Sequence, residues 1–194
     1  MAETRYPSPV IATLLLAAIV AQPTTYRVDP EKAEAGFDLK ATLHTVHGTT
    51  ARVSGEIHAV PEDGGGLALH GRIEVDAASL DTGNGKRDAT LHGTSLDAPR
   101  YPKIVLEPER FLASDPPAAD GSVRGKLTGR LTIRGTTEPV TIEATLTPQG
   151  TALTAAGTFD VTWAHFGIPD PSFLFVHIEP VAHARFRVTF RPGS

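Results

Sequence analysis

Three sets of side chains in this sequence have the types that chemistry uses. The first is a scatter of eight histidines. His44 and His47 stand three apart in Thr42-Leu43-His44-Thr45-Val46-His47-Gly48, where a helical turn would let them share a metal ion, and His177 and His183 are an even number of residues apart on a polar strand face. Two imidazoles still need a third ligand and an outer shell of hydrogen-bond partners, and no carboxylate is fixed beside either pair. Surface or hydrogen-bonded structural roles account for the histidines more simply, with His165, beside Trp163, best placed to stand at a pocket mouth. The second set, Asp81, Arg87 and Asp88, is an acid–base cluster in outline, but a polar loop against a short helix uses such residues for capping and ion pairing. General acid–base chemistry needs a partner placed around a reacting atom, and none is named here. The third set, Ser79, Ser95 and Ser172, lacks the Gly-x-Ser-x-Gly setting of an activated nucleophile. The expectation from these residues is therefore no enzyme, with no catalytic residue, no metal site and no obligatory cofactor.

The elements that would position a binding site are strands. In Leu67-Ala68-Leu69-His70-Gly71-Arg72-Ile73-Glu74-Val75-Asp76 the odd positions are apolar or small and the even ones mostly polar, as in a strand with one wet face. Gly125–Arg134 repeats the pattern, Gly135-Thr136-Thr137-Glu138-Pro139 turns the chain, and Val140–Leu146 returns, which predicts a hairpin. Further strands are predicted at Thr25–Val28, Ala35–Thr42, Ala51–Val60, Lys103–Phe111, Ala152–Val161 and Val176–Phe190, with Pro180 marking a bulge or edge in the last. Turn clusters such as Glu62-Asp63-Gly64-Gly65-Gly66 and Pro148-Gln149-Gly150 separate them. One short helix is expected near Gly85–Leu91, capped by Asn84 and followed by Gly93. There is no internal repeat.

Parity carries the argument to the interior. If Leu69, Ile73, Leu127, Leu131, Ile133, Ile142, Leu146, Leu153, Phe159, Phe186 and Val188 face inward, so do Gly71, Gly125, Gly129, Ala144, Ala155, Gly157, Ala182 and Ala184. An eight-stranded barrel is just wide enough to be plugged by side chains or to admit one small ligand, and so many small residues favour a cavity. The competing reading is that the glycines mark bends and bulges around a filled core.

The stretch Ala78-Ser79-Leu80-Asp81-Thr82-Gly83-Asn84-Gly85-Lys86-Arg87-Asp88-Ala89-Thr90-Leu91-His92-Gly93, followed by Tyr101-Pro102-Lys103-Ile104-Val105-Leu106, resembles the central motif of the YceI-like family of secreted bacterial β-barrels. Tyr26-Arg27-Val28-Asp29-Pro30 with Ala35–Leu39 is similar to that family's first strand pair, and Val46-His47-Gly48 with Val53–Ile57 to its second segment. Val123–Leu127 is similar to a later glycine-marked strand, and Phe166-Gly167-Ile168 to its aromatic-glycine corner. Two places depart from the pattern: Trp163-Ala164-His165, where an arginine usually precedes the Phe-Gly pair, and the unusually apolar Asp170–Phe175. The resemblance implies an all-β, antiparallel, lipocalin-like eight-stranded barrel that binds a polyisoprenoid, isoprenoid quinone or fatty acyl lipid noncovalently. The expected ligand-facing residues are Phe37, Leu39, Leu69, Ile73, Leu131, Ile142, Ala155, Gly157, Phe159, Trp163, Phe166, Ala184 and Phe186. The alternatives are an envelope-stress or structural interaction module with a filled barrel, and a histidine-dependent enzyme using His165 or His47.

Composition bounds the partners and the address. At 194 residues one domain with a real core is the default. With 18 basic against 22 acidic residues the surface has no cationic excess for phosphates, so nucleic acid is not expected as a partner, and only transient membrane contact is. There is no cysteine, which excludes disulfides, thiol catalysis and lipid attachment through an N-terminal cysteine. Arg5, the apolar run Val10–Ala21 and the break at Gln22-Pro23 have the form of a secretion signal cleaved after Ala21. That run is shorter than the roughly 18–20 residues that span a bilayer. Residues 1–21 are thus expected to be a signal peptide and residues 22–194 a periplasmic or secreted barrel; the oligomeric state is open.

Overall fold

The computed structural model describes residues 22–42, 44–62, 65–170, 172 and 177–193. The segment 1–21, assigned above to a signal peptide, lies outside the described residues. Among the described residues period-two alternation produces β1 (Thr24–Ala41), β2 (Thr45–Thr50), β3 (Val53–Glu62), β4 (Gly66–Asp76), β5 (Lys103–Ala113), β6 (Val123–Ile133), β7 (Thr136–Gln149), β8 (Ala152–Thr162) and β9 (Ile178–Pro192), with one short helix, α1 (Gly85–Thr90). Among the described residues no helix is long and apolar enough to cross a membrane.

Every pairing is antiparallel, and β1 pairs with β9 to close the sheet on itself. β1 also meets β3 along Thr24–Arg27 and β2 along Ala35–Lys40, so β2 and β3 are two halves of one broken strand position. Among the described residues nine strands therefore fill the eight positions of a closed barrel. Closure removes the exposed edges that an open sheet of this size would carry.

Local chemistry explains where the elements differ from expectation. Asp29-Pro30 has the composition of a turn, yet the chain runs through it as a bulge in the β1–β9 pairing between Val28 and Ala33. Asp29 is buried there; its Oδ1 accepts the Glu31 N–H, and Arg191 approaches its Oδ2 to 2.6 Å as an ion pair without hydrogen-bond geometry. The two strands expected at Thr25–Val28 and Ala35–Thr42 are thus one. The hairpin turn is tighter than expected: Arg134 and Gly135 both have positive φ, so two residues reverse the chain and Thr136–Pro139 already belong to β7. Pro180 falls inside the register shift between Leu39 and Ala41 on β1, the bulge its position suggested.

The helix begins as expected. The Asn84 side chain accepts the N–H groups of Lys86 and Arg87 at 3.1 and 3.2 Å. Gly93 does not stop it; the chain widens over Leu91–Ser95 into a turn closed by Leu96 N–H on the Leu91 carbonyl, 2.8 Å. Tyr26, Phe111, Val123, Leu153 and Phe190 pack one end of the barrel, and Leu80, Leu96, Ala98, Val161 and Phe166 form a second cluster beside the wide turn.

Candidate functional site: an apolar cavity with a polar rim

The inward faces of the strands enclose a cavity of about 470 Å³, inside the roughly 300–1,000 Å³ range of small-molecule sites. At its floor Tyr26, Leu67, Phe111, Leu153 and Phe190 are all buried, and burial holds the Tyr26 phenol above its ordinary pKa, so it is neutral. Toward the other end Phe37, Leu39, Trp163, Ile168, Ile178 and Ala182 are half-buried, and Thr90 is exposed. The cavity is therefore pinched shut at the floor and open at the α1 end.

Most of the expected residues stand on the cavity wall. Leu69, Ile73, Leu131, Ala155, Phe159 and Phe186 line the cavity from the barrel wall, and Phe37, Leu39, Trp163 and Ala184 line its upper part. The Phe37 ring lies across Gly48, where an added Cβ would fall 2.2 Å from it. The Trp163 indole donates to the Glu179 carbonyl at 2.9 Å, which fixes its ring at the mouth.

Three expected residues do not line the cavity. Ile142 is fully buried and Gly157 is filled over: a Cβ on Gly157 would meet Ile142 Cγ2 and the Phe186 ring, both at 3.0 Å. The side chain missing at Gly157 is replaced by its neighbours, which makes this part of the wall solid. Phe166 is turned by the short 3-10 turn Trp163–Phe166 and the left-handed Gly167 into the cluster with Leu80 and Leu96. His165, expected at the mouth, is exposed and does not line the cavity.

The glycines divide between the two readings of the interior. Gly71 has φ +126° and an added Cβ would sit 2.2 Å from the Glu56 carbonyl oxygen, so this glycine serves strand contact at a bulge, not cavity volume. Gly125 and Gly129 likewise stand against the backbone of β5. Ala144, Ala155, Ala182 and Ala184, in contrast, line the cavity. Bends explain these glycines, and the alanines make the space.

Other expected clusters resolve into hydrogen bonding. His47, extended in β2, bonds Asp38 rather than turning toward His44, and His183 bonds Asp160. Among the described residues no group of three metal-ligating side chains converges. Asp81 accepts the Gly83 N–H and Asp88 accepts from Thr82, while Arg87 bonds Thr82 and makes no ion pair with either carboxylate. What the strand pattern missed is the contribution of the helical excursion: Thr82, Arg87, Thr90, Leu91, Ser95 and Leu96 all line the cavity.

A family model described as the YceI-like domain matches residues 26–190. The chain belongs to that family. Its curated relatives include a UPF0312 protein of Pseudomonas putida (strain W619), 28% identical over 157 residues that cover 77% of this chain and 76% of the relative. Another is a UPF0312 protein of Pseudomonas syringae pv. syringae, 30% identical over 147 residues covering 72% and 71%. Among solved structures, the YceI-like barrel is similar to Burkholderia cenocepacia BcnA, with a TM-score of 0.66 at 21% identity over 84% of this chain and 98% of that one. It is also similar to a polyisoprenoid binding domain from Saccharophagus degradans implicated in plant cell wall breakdown, with a TM-score of 0.69 at 11% identity over 88% and 99%. At these identities the structural likeness speaks to the YceI-like fold.

Proposed function

We propose that this protein sequesters or carries a long-chain amphiphile, held noncovalently with its tail in the barrel and its headgroup at the α1 end. The observation that carries the reading is the cavity itself: apolar walls, a floor sealed by Phe111 and Phe190, and polar side chains gathered at the open end. Such a shape suits one molecule with an apolar tail and a wet head. The polyisoprenoid binding named for the Saccharophagus degradans relative supports an isoprenoid or isoprenoid quinone tail, with a fatty acyl chain as the other tail of matching shape. Binding rather than catalysis fits the lining, which among the described residues contains no histidine, carboxylate or lysine to move a proton. The signal-like residues 1–21 support a periplasmic or secreted address.

The test is to purify the protein from the extracytoplasmic fraction, sequence its N-terminus and identify extracted lipid by mass spectrometry. The expected result is a chain starting at Gln22 with a long-chain amphiphile bound. Ala184→Phe, placed in the upper cavity, should fill ligand volume, lose most of that lipid and melt within a few degrees of ligand-stripped wild type. Were Ala184 instead part of a filled core, the same change would overpack it and cost typically about 1–3 kcal/mol. Undiminished lipid in a destabilised Ala184→Phe variant would defeat the proposal.

A further inference from the structure

The closed end of the cavity is built to be solid. Three phenylalanine rings of the wall lie over glycines of a neighbouring strand: Phe37 over Gly48, Phe186 over Gly157, and Phe111 over Gly125, where an added Cβ would fall 2.6 Å from the ring. Phe111 is the one that belongs to the floor, 1% exposed, together with Tyr26, Leu67, Leu153 and Phe190. Val123, wholly buried, packs in the same cluster without reaching the cavity. A ring seated on a glycine backbone, with a close-packed residue in the layer around it, has no free volume to yield to an incoming tail.

Volume then fixes how much tail is enclosed. An engineered apolar cavity of about 150 Å³ takes one benzene, which is roughly 25 Å³ for each carbon. By that measure the cavity of about 470 Å³ encloses about 19 carbons.

We propose that Phe111, seated on Gly125, sets a ceiling of about 19 carbons on the lipid tail, close to one long fatty acyl chain or roughly four isoprene units. The proposal rests on the reading of the cavity as a lipid site and specifies which tails it selects. A longer tail leaves its remaining carbons in water at the open end, and each methylene so exposed weakens binding about fourfold. A bilayer shields every methylene whatever the chain length. Exchange with a membrane therefore isolates the ceiling: below it protein and bilayer cover the tail alike and length does not matter, whereas above it the bilayer gains about fourfold per carbon.

Lipid-stripped protein can be incubated with phosphatidylcholine vesicles that carry equal traces of straight-chain saturated fatty acids, the even-numbered series from lauric to hexacosanoic acid. The repurified protein is extracted, and mass spectrometry gives each acid bound relative to its content in the vesicles. The ratio should be level up to about 18–20 carbons and then fall about tenfold for each further pair of carbons. Phe111→Ala should move the break to longer chains by up to about six carbons, the ring it removes. Ala155→Leu, on the cavity wall, should move it to shorter chains by about three and tests the same ceiling should Phe111→Ala not fold. A ratio that stays level through hexacosanoic acid, or a break that neither variant moves, overturns the ceiling and leaves the lipid cavity standing. If no acid of any length is recovered with the protein, the lipid cavity itself is wrong.

Discussion

Asp38 shows how much a single carboxylate can organise on the outside of the barrel. Its Oδ1 accepts from His47 Nδ1 at 2.8 Å and from Arg185, while strand register sets His183 beside it and Asp160 beside His183. The result is a row of alternating histidine and aspartate across β2, β1, β9 and β8. The His47 hydrogen bond, with help from Arg185, holds the Asp38 carboxyl below the usual carboxylate range. A carboxyl depressed in the folded state adds stability that is present above its unfolded pKa of about 3.9 and is lost as pH falls through the folded one. The Asp38→Asn variant should therefore melt below wild type at pH 5–7, and the gap should close as pH falls through the depressed Asp38 pKa. Both partners are more than a third exposed, so the gap should correspond to less than about 1 kcal/mol. Thermal melts across pH check this, and a gap that is constant down to pH 2 would assign the difference to something other than ionisation. At this scale the sequence was informative where strands ran: alternate positions put Leu69, Ile73, Phe159 and Phe186 on the cavity wall. It singled out Arg87 and Ser95 but did not place them on the cavity wall, because a helical excursion does not obey period two and their direction depends on how the excursion lies over the barrel.

The strands owe their curvature to positions where a side chain would not fit. Gly55 on β3 and Gly71 on β4 both have positive φ, and each would drive a Cβ to 2.2 Å from a carbonyl oxygen of the opposite strand. Around Gly71 the pairing of β4 with β5 also loses register, between Ala68 and Ile73. Gly71→Ala combines strain with a backbone clash and should cost more than about 1–3 kcal/mol. Gly150→Ala shares a positive φ, +62°, but meets nothing within 4 Å, and should cost about 1 kcal/mol. Denaturant midpoints of the two variants measure the difference; equal losses would remove the clash from the explanation. The same logic shows why β2 escaped notice as a strand. Its inward positions are Val46, Gly48 and Thr50, only one of them a large apolar residue, because the Phe37 ring from β1 fills the place above Gly48. Period two is visible only when the inward side chains belong to the strand itself.

For the whole molecule, a cavity closed at the floor and open at one end sets how a lipid would leave. Each methylene withdrawn from water is worth about 0.8 kcal/mol, but a bilayer shields the same tail, so most of that gain disappears when membrane is the alternative. Protein-bound lipid should accordingly pass to empty liposomes at neutral pH. Retention after prolonged incubation, followed by mass spectrometry of the repurified protein, would point to a permanently buried structural lipid. Closure of the barrel has a different consequence, for the order in which the molecule can be made. β1, among the first strands translated, completes its pairing only with β9, the last, and without β9 the edge of β8 is bare as well. Until Ile178–Pro192 has left the ribosome, eight strands in seven barrel positions carry apolar inner faces that no ring encloses. Long-range strand pairing is slow in itself, and exposed edges of this kind invite aggregation. Closure of the barrel thus waits for Ile178–Pro192, and until then its open edges must be kept from meeting those of another copy.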